Sequence, residues 1–383
     1  MAPRASLNGT ARPIRPIRAG RVPRRREYIT NAALAAFTLL LCLAALEVVL
    51  RLTVYNYKSY PVSPGPGAEY HIDTAEFHTT VRTNSLNMRD GEIPPKAPGE
   101  RRILCLGDSF TFGLGVHIPE SYPKVLEGEL ARAHGNGLSP ARVINGGTGG
   151  NAHHAHEFLL RQGFEFGPDL VIEQVYIGND FYDGLGRLAA VPAASAPDEP
   201  VSAAPARPGP LQVLKSRLSG LHLRTPEFLW SRLVQLPFFD DWLYRMDLRY
   251  DNRGVFLREY PAIEAALERL LLEDLGRIDD ACRERGVAFA VLIAPTKQQL
   301  FMKRHLDNAK YDYRKPNRTI REFCASRGVP CLDLLEVYES LPEEQVRRLY
   351  YSQDRHWTVE GHAQTASRLA AFLSGAAPRG ARH

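Results

Sequence analysis

The chain is short of cysteine, of net charge outside one segment, and of long apolar runs, and each shortage narrows what it does. Five cysteines in 383 residues cannot staple a chain of this length. A disulfide scaffold is therefore excluded, and a hydrophobic core has to carry the fold. No cysteine or carboxylate cluster accompanies His153, His154 and His156, so these read as the solvated start of a helix, and no metal is expected. A basic surface is missing too. Residues 1–30 hold eight arginines against Glu27, a charge of +7, which leaves −2 on the other 353 residues of a chain whose formal total is +5. That balance gives no footprint for nucleic acid. Nor is there an internal repeat.

One long uncharged run stands out, residues 29–46, 18 in number, and residues 48–50 extend it beyond Glu47. The length approaches that of a membrane-spanning helix, and the arginines lie on its amino side. Residues 1–28 are thus expected as a basic cytoplasmic tail and 29–54 as a transmembrane signal anchor. The rest would then lie outside, making a single-pass inner-membrane protein with a periplasmic domain. Two other readings are a cleavable signal peptide, whose apolar core is usually shorter, and a buried core helix.

Residues 103–109 read Ile-Leu-Cys-Leu-Gly-Asp-Ser, an apolar run stopped at a Gly-Asp-Ser turn. Such a run predicts a buried parallel strand over 102–107, with Ser109 at its carboxyl end, where open α/β sheets bind ligands. Ser109 is then either a nucleophile or part of a helix cap. Further strands are expected at 143–145, 169–177, 287–294 and 329–334, with helices at 122–134, 152–162, 262–285 and 316–326. This alternation calls for a three-layer α/β/α sandwich around a five-stranded parallel sheet. Residues 55–83 read as a linker, 84–375 as the domain and 376–383 as a tail. An insertion at 185–260 opens with an Ala/Pro-rich stretch and continues into an aromatic helical one. It is either a lid over the catalytic face or a segment packed on the core or the membrane.

A serine hydroxyl needs a base, and the base needs an orienting group. Asp354-Arg355-His356-Trp357-Thr358 offers both, with His356 as base and then acid and Asp354 holding its ring; otherwise it is a surface turn. An oxyanion needs donors. They are expected from the glycine-rich loop at 145–151, from the Asn179 side chain and from the Ser109 amide.

These blocks, in this order, resemble the SGNH (GDSL-type) hydrolase superfamily, in a membrane-anchored variant similar to alginate-type polysaccharide O-acetylation proteins. The resemblance implies a flavodoxin-like fold, with Ser109 as nucleophile and Asp354 and His356 completing the triad. Gly150, Asn179 and the Ser109 amide would form the oxyanion hole. Gly361 also falls where the family's last block has it. One departure stands: the family places Asp three residues before His, but here Gln353 holds that position and Asp354 is two before.

The activity implied is a serine esterase or O-acyltransferase working without cofactor or metal. Its partners would be acylated, often acetylated, envelope carbohydrate, the bilayer and a multispanning acyl-donor protein. A non-catalytic assembly protein that retains the fold is the alternative. Four features stay open. Asn84, Arg89 and Asp90 either line the cleft or tie down a loop, and Lys297 either meets an anionic substrate or is solvated. Cys324 and Cys331 are either bridged or unrelated thiols, and His362 lies on the helix after the catalytic turn.

Overall fold

The computed structural model describes residues 25–52 and 65–375, apart from 75, 135–140, 149, 151, 191–224, 226–227, 230–231, 233–252 and 353. It divides into two units, Met1–Leu52 and Thr53–His383. In the first, α1 (Arg25–Leu52) is one continuous helix, and its segment Glu27–Leu50 is long and apolar enough to cross a membrane. Leu34, Phe37, Leu39, Leu40 and Leu41 are all more than half exposed, which is not the face of a core helix.

The second unit is built on β3 (Arg101–Gly107), β4 (Ala141–Gly147), β5 (Leu170–Tyr176), β6 (Ala288–Ala294) and β7 (Cys331–Asp333). These form one five-stranded sheet in the order β4-β3-β5-β6-β7, and every pairing is parallel. The expected strands are all present. The last is shorter than expected because Asp333 caps the helix that starts at Leu334, accepting a hydrogen bond from Leu335 N at 3.0 Å.

Alternation along β3 sends side chains to both helical layers. Leu104 faces Gly163 and Leu159 beside α4 (Ala152–Arg161), whereas Cys105 meets Tyr122 of α3 (Tyr122–His134). α4 packs on α5 (Ala262–Glu284), and α3 packs on the carboxyl-terminal helix Val359–Gly375. Ile103, Leu104, Leu106, Val171, Ile172 and Leu292 are wholly buried between the layers. Each such side chain contributes roughly 1.5–3 kcal/mol relative to exposure. β5 carries two exceptions to its apolar pattern, Glu173 and Gln174, both buried.

Part of the stretch expected as a linker is ordered structure. β1 (Glu69–Asp73) and β2 (His78–Arg82) pair as an antiparallel hairpin. Ile72, Phe77 and Val81 of the hairpin form a small second core with Phe112 and Leu114. The unpatterned segment after it is held by side chains. Asn84 accepts from Leu86 N and Met88 N and donates to Gly91 O. Asp90 accepts from Asn145 N at 2.8 Å and pairs with Lys124. Of the two readings for Asn84 and Asp90, these bonds are those of a tied-down loop.

In the 185–260 insertion, Val255 and Phe256 are buried in the main core, and Arg187 is ion-paired to Asp274 of α5. Most of the aromatic stretch offered as a lid lies outside the described residues.

Candidate active site

Gly107 ends β3 with φ +144°, a conformation that L side chains rarely adopt, and a Cβ there would meet Thr111 Oγ1 at 2.5 Å. The chain then turns into the short helix α2 (Ser109–Phe112). Asp108 caps that helix through a 2.9 Å bond from Phe110 N to its Oδ1. Capping is thus the work of Asp108, and Ser109, the first helical residue, has its hydroxyl available for other partners.

That hydroxyl lies 2.7 Å from His356 Nε2. On the other side of the ring, His356 Nδ1 lies 2.5 Å from Asp354 Oδ1, which also accepts from the His356 backbone N–H at 2.8 Å. The structure therefore brings Ser109, His356 and Asp354 into one hydrogen-bonded series. Burial alone would raise the Asp354 carboxyl, but the hydrogen bond and charge of His356 outweigh it and hold the group below the usual carboxylate range. Gln353 lies outside the described residues.

Aromatic rings lock the imidazole. Phe110 packs 5.0 Å from the His356 ring and 4.7 Å from Trp357, which is wholly buried. His362, also wholly buried, accepts from Tyr122 N at 3.1 Å, and burial pushes it down to about 3. It is a neutral core histidine of the helix after the turn.

Gly150 and Asn179 follow the carboxyl ends of β4 and β5, on the same rim as Ser109. Gly150 N donates to Thr148 Oγ1 at 3.2 Å, and Asn179 Nδ2 donates to Asp183 Oδ2 at 3.0 Å, which orients its amide. A Cβ on Gly147 would come within 2.1 Å of Phe112 N, so part of the glycine-rich loop exists to let α2 approach β4. Behind the rim, burial raises the carboxyls of Asp108, Glu173 and Asp180, the last two well above their ordinary range.

Three further side chains shape the site. Arg89 is wholly buried and donates to the carbonyls of Phe112, Gly113 and Val116, gripping the carboxyl end of α2. Lys297 does not stand free for a substrate. Its ammonium donates to the carbonyls of Tyr351 at 2.7 Å, Ser352 at 2.8 Å and Asp354 at 3.3 Å. Glu76, at the hairpin tip, accepts from Ser352 Oγ and Asp354 N, both at 2.7 Å. No sequence signal marks Glu76, because its partners lie 276 and 278 residues away.

Among the described residues, no group of three or more His, Cys, Asp or Glu side chains could hold a metal ion. His153 instead lies 3.7 Å from Asp274 and 3.5 Å from Glu157. Cys324 and Cys331 are free thiols.

The family model described as the SGNH hydrolase-like domain of acetyltransferase AlgX matches residues 239–382, the part that carries Asp354 and His356. Over those residues the chain is similar to that acetyltransferase domain. Among solved structures it is similar to the lipase/acylhydrolase from Enterococcus faecalis, at 12% identity over 72% of this chain and 96% of that one, TM-score 0.41. It is also similar to the psychrotrophic esterase EstA from Pseudoalteromonas sp., at 10% identity over 72% and 97%, TM-score 0.38. A two-domain esterase active on acetylated mannans aligns at 12% identity over 73% of this chain and 51% of that one, TM-score 0.40. Likeness at this level carries no information on substrate. No curated protein matches the chain in sequence.

Proposed function

We propose that this protein is a membrane-anchored, extracytoplasmic O-acetyltransferase that acts on envelope carbohydrate through an acyl-serine intermediate. The observation that carries the reading is the Ser109–His356–Asp354 series, with bonds of 2.7 and 2.5 Å, in a domain whose family is described as acetyltransferase. In the first half-reaction Ser109 Oγ attacks the acyl carbonyl while His356 Nε2 takes its proton. Asp354 keeps the ring oriented and stabilises the imidazolium. The carbonyl oxygen becomes an oxyanion held by the Ser109 amide and by the second hydrogen of Asn179 Nδ2, joined by the Gly150 amide once that leaves Thr148 Oγ1. Collapse expels the donor's leaving group, which receives the proton from His356, and leaves acyl-Ser109. In the second half, His356 takes a proton from an acceptor hydroxyl, whose oxygen attacks the acyl group. Ser109 then recovers its hydrogen. Water as the acceptor makes the same sequence an esterase.

Full-length protein in detergent, given nitrophenyl acetate as donor and an envelope-type oligosaccharide, is expected to yield acetylated sugar by mass spectrometry. Acetate alone, across several acceptors, would establish an esterase instead.

Membrane anchoring is supported by α1 and by the arginines before it. A span placed this way has its amino end in the cytoplasm. A reporter active only outside the cytoplasm should then work when fused at Ser59, and a cytoplasmic reporter there should be silent. A working cytoplasmic reporter at Ser59 would refute the topology. With that topology a single helix offers no route for an activated acyl group from the cytoplasm. A multispanning partner would have to deliver it.

A further inference from the structure

We propose that Glu76 is a positioning residue for Asp354, so that the amino-terminal hairpin is a working part of the catalytic centre. The proposal rests on the reading of Ser109, His356 and Asp354 as the reacting series. Asp354 offers one oxygen to two N–H groups of His356, an arrangement that tolerates little rotation of the backbone at residue 354. Locally the turn is closed by Tyr351 N, which donates to His356 O at 3.1 Å, and by the pairing of Tyr350 with Trp357. The N–H and C=O of residue 354 itself are held from outside, by Glu76 and Lys297.

Glu76 accepts the Asp354 N–H on one carboxylate oxygen and the Ser352 hydroxyl on the other, each at 2.7 Å. Lys297 takes the carbonyls of residues 351, 352 and 354. Tyr351 anchors the start of the turn, donating its hydroxyl to Gly115 O at 2.8 Å and packing its ring, tilted, 4.9 Å from that of Phe77, the residue after Glu76. The support is itself stiff. Thr74 Oγ1 accepts from Glu76 N and Phe77 N, and Phe77 is buried in the hairpin's own small core. Acidic Glu76 and basic Lys297 therefore clamp the donors and acceptors of one turn. The role is geometric and does not need the charge. A glutamine can accept from Asp354 N through its oxygen and donate to Ser352 Oγ through its nitrogen.

A misplacement of about 1 Å at a reacting group costs on the order of 10²-fold in rate. In the full-length protein, with nitrophenyl acetate, Glu76→Ala is expected to lower kcat by about ten- to a hundredfold with KM unchanged. Glu76→Gln should restore kcat to within about threefold of the parent. Glu76→Met, which keeps the length of the side chain but not its acceptors, should behave as Glu76→Ala, and it answers the question if the alanine variant folds poorly. Melting temperatures accompany each measurement. Unchanged kcat in folded Glu76→Ala and Glu76→Met would overturn the proposal, as would a Glu76→Gln variant as slow as Glu76→Met. A loss explained entirely by unfolded protein in all three would also overturn it. Ser109→Ala, run alongside, separates the two readings. If it keeps full turnover, the reacting series is wrong and this proposal falls with it. If it is inactive while the Glu76 variants match the parent, only the positioning role is lost.

Discussion

Ser109→Ala is expected to remove essentially all turnover of a small acetyl ester, a fall on the order of 10⁶ by analogy with serine hydrolases built on the same constellation. Without Oγ no acyl intermediate forms, and His356 has no proton to take. What survives is whatever the oxyanion donors achieve with water as nucleophile. Fold should be untouched, because the Ser109 hydroxyl points at His356, while the cap of α2 is made by Asp108. His356→Ala is expected to lose about as much, and the double variant little more, since the two groups act as a unit. Intact-mass measurement after brief exposure to donor checks the chemistry directly. An acetyl adduct on the parent and none on Ser109→Ala is the expected pair. An adduct of equal yield on both would move the nucleophile elsewhere.

The second large effect concerns Asp354. Asp354→Asn keeps the size of the side chain but turns an acceptor-only group into one that offers N–H donors to His356 Nδ1. The ring then favours the tautomer that cannot accept from Ser109, and kcat should fall by about 10⁴. Gln353→Ala should cost less than about threefold if orientation of the base rests on Asp354. The contrast matters because the family spacing would put the orienting residue at 353. A severe loss in Gln353→Ala with a mild one in Asp354→Asn would transfer the role to the neighbour and overturn the present assignment. Circular dichroism and melting temperature should match the parent in both variants.

The elements legible in the sequence are those whose signal is local. β3, β5 and β6 each stand out by apolar or β-branched residues stopped by Gly, Asn or Pro, and their order and parallel pairing follow from the helices between them. The meeting of Ser109 with the Asp-x-His turn was readable because each block has its own composition, Ser109 at the carboxyl end of a strand and the turn in the segment after the last strand. The hairpin was not readable. Residues 69–82 do alternate, with Tyr70 and Ile72 and then Phe77, Thr79 and Val81 turned inward, but each strand is five residues long and mostly polar, too short a pattern to stand out from the Pro- and Gly-rich run before it. Glu76 and Lys297 could not be assigned from sequence for a related reason. An isolated surface-type charge gains its meaning from a turn that is 276 residues distant for Glu76 and 54 for Lys297. Glu173 is the reverse case, an acidic residue in mid-strand whose carboxyl the fold buries and thereby raises well above its ordinary range.

The bond between Ser109 and His356 joins residues 247 apart. A chain that leaves the ribosome amino end first presents its serine long before the base exists. During synthesis Ser109 is an ordinary alcohol, inert toward esters. On the proposed mechanism it becomes reactive only when the last helix has docked and carried the Asp354 turn onto the hairpin, and contacts of such separation are among the slowest to form. Acylation of Ser109 by that mechanism would date the completion of the whole domain, and a reagent that labels it would count finished molecules and leave those still being made unmarked.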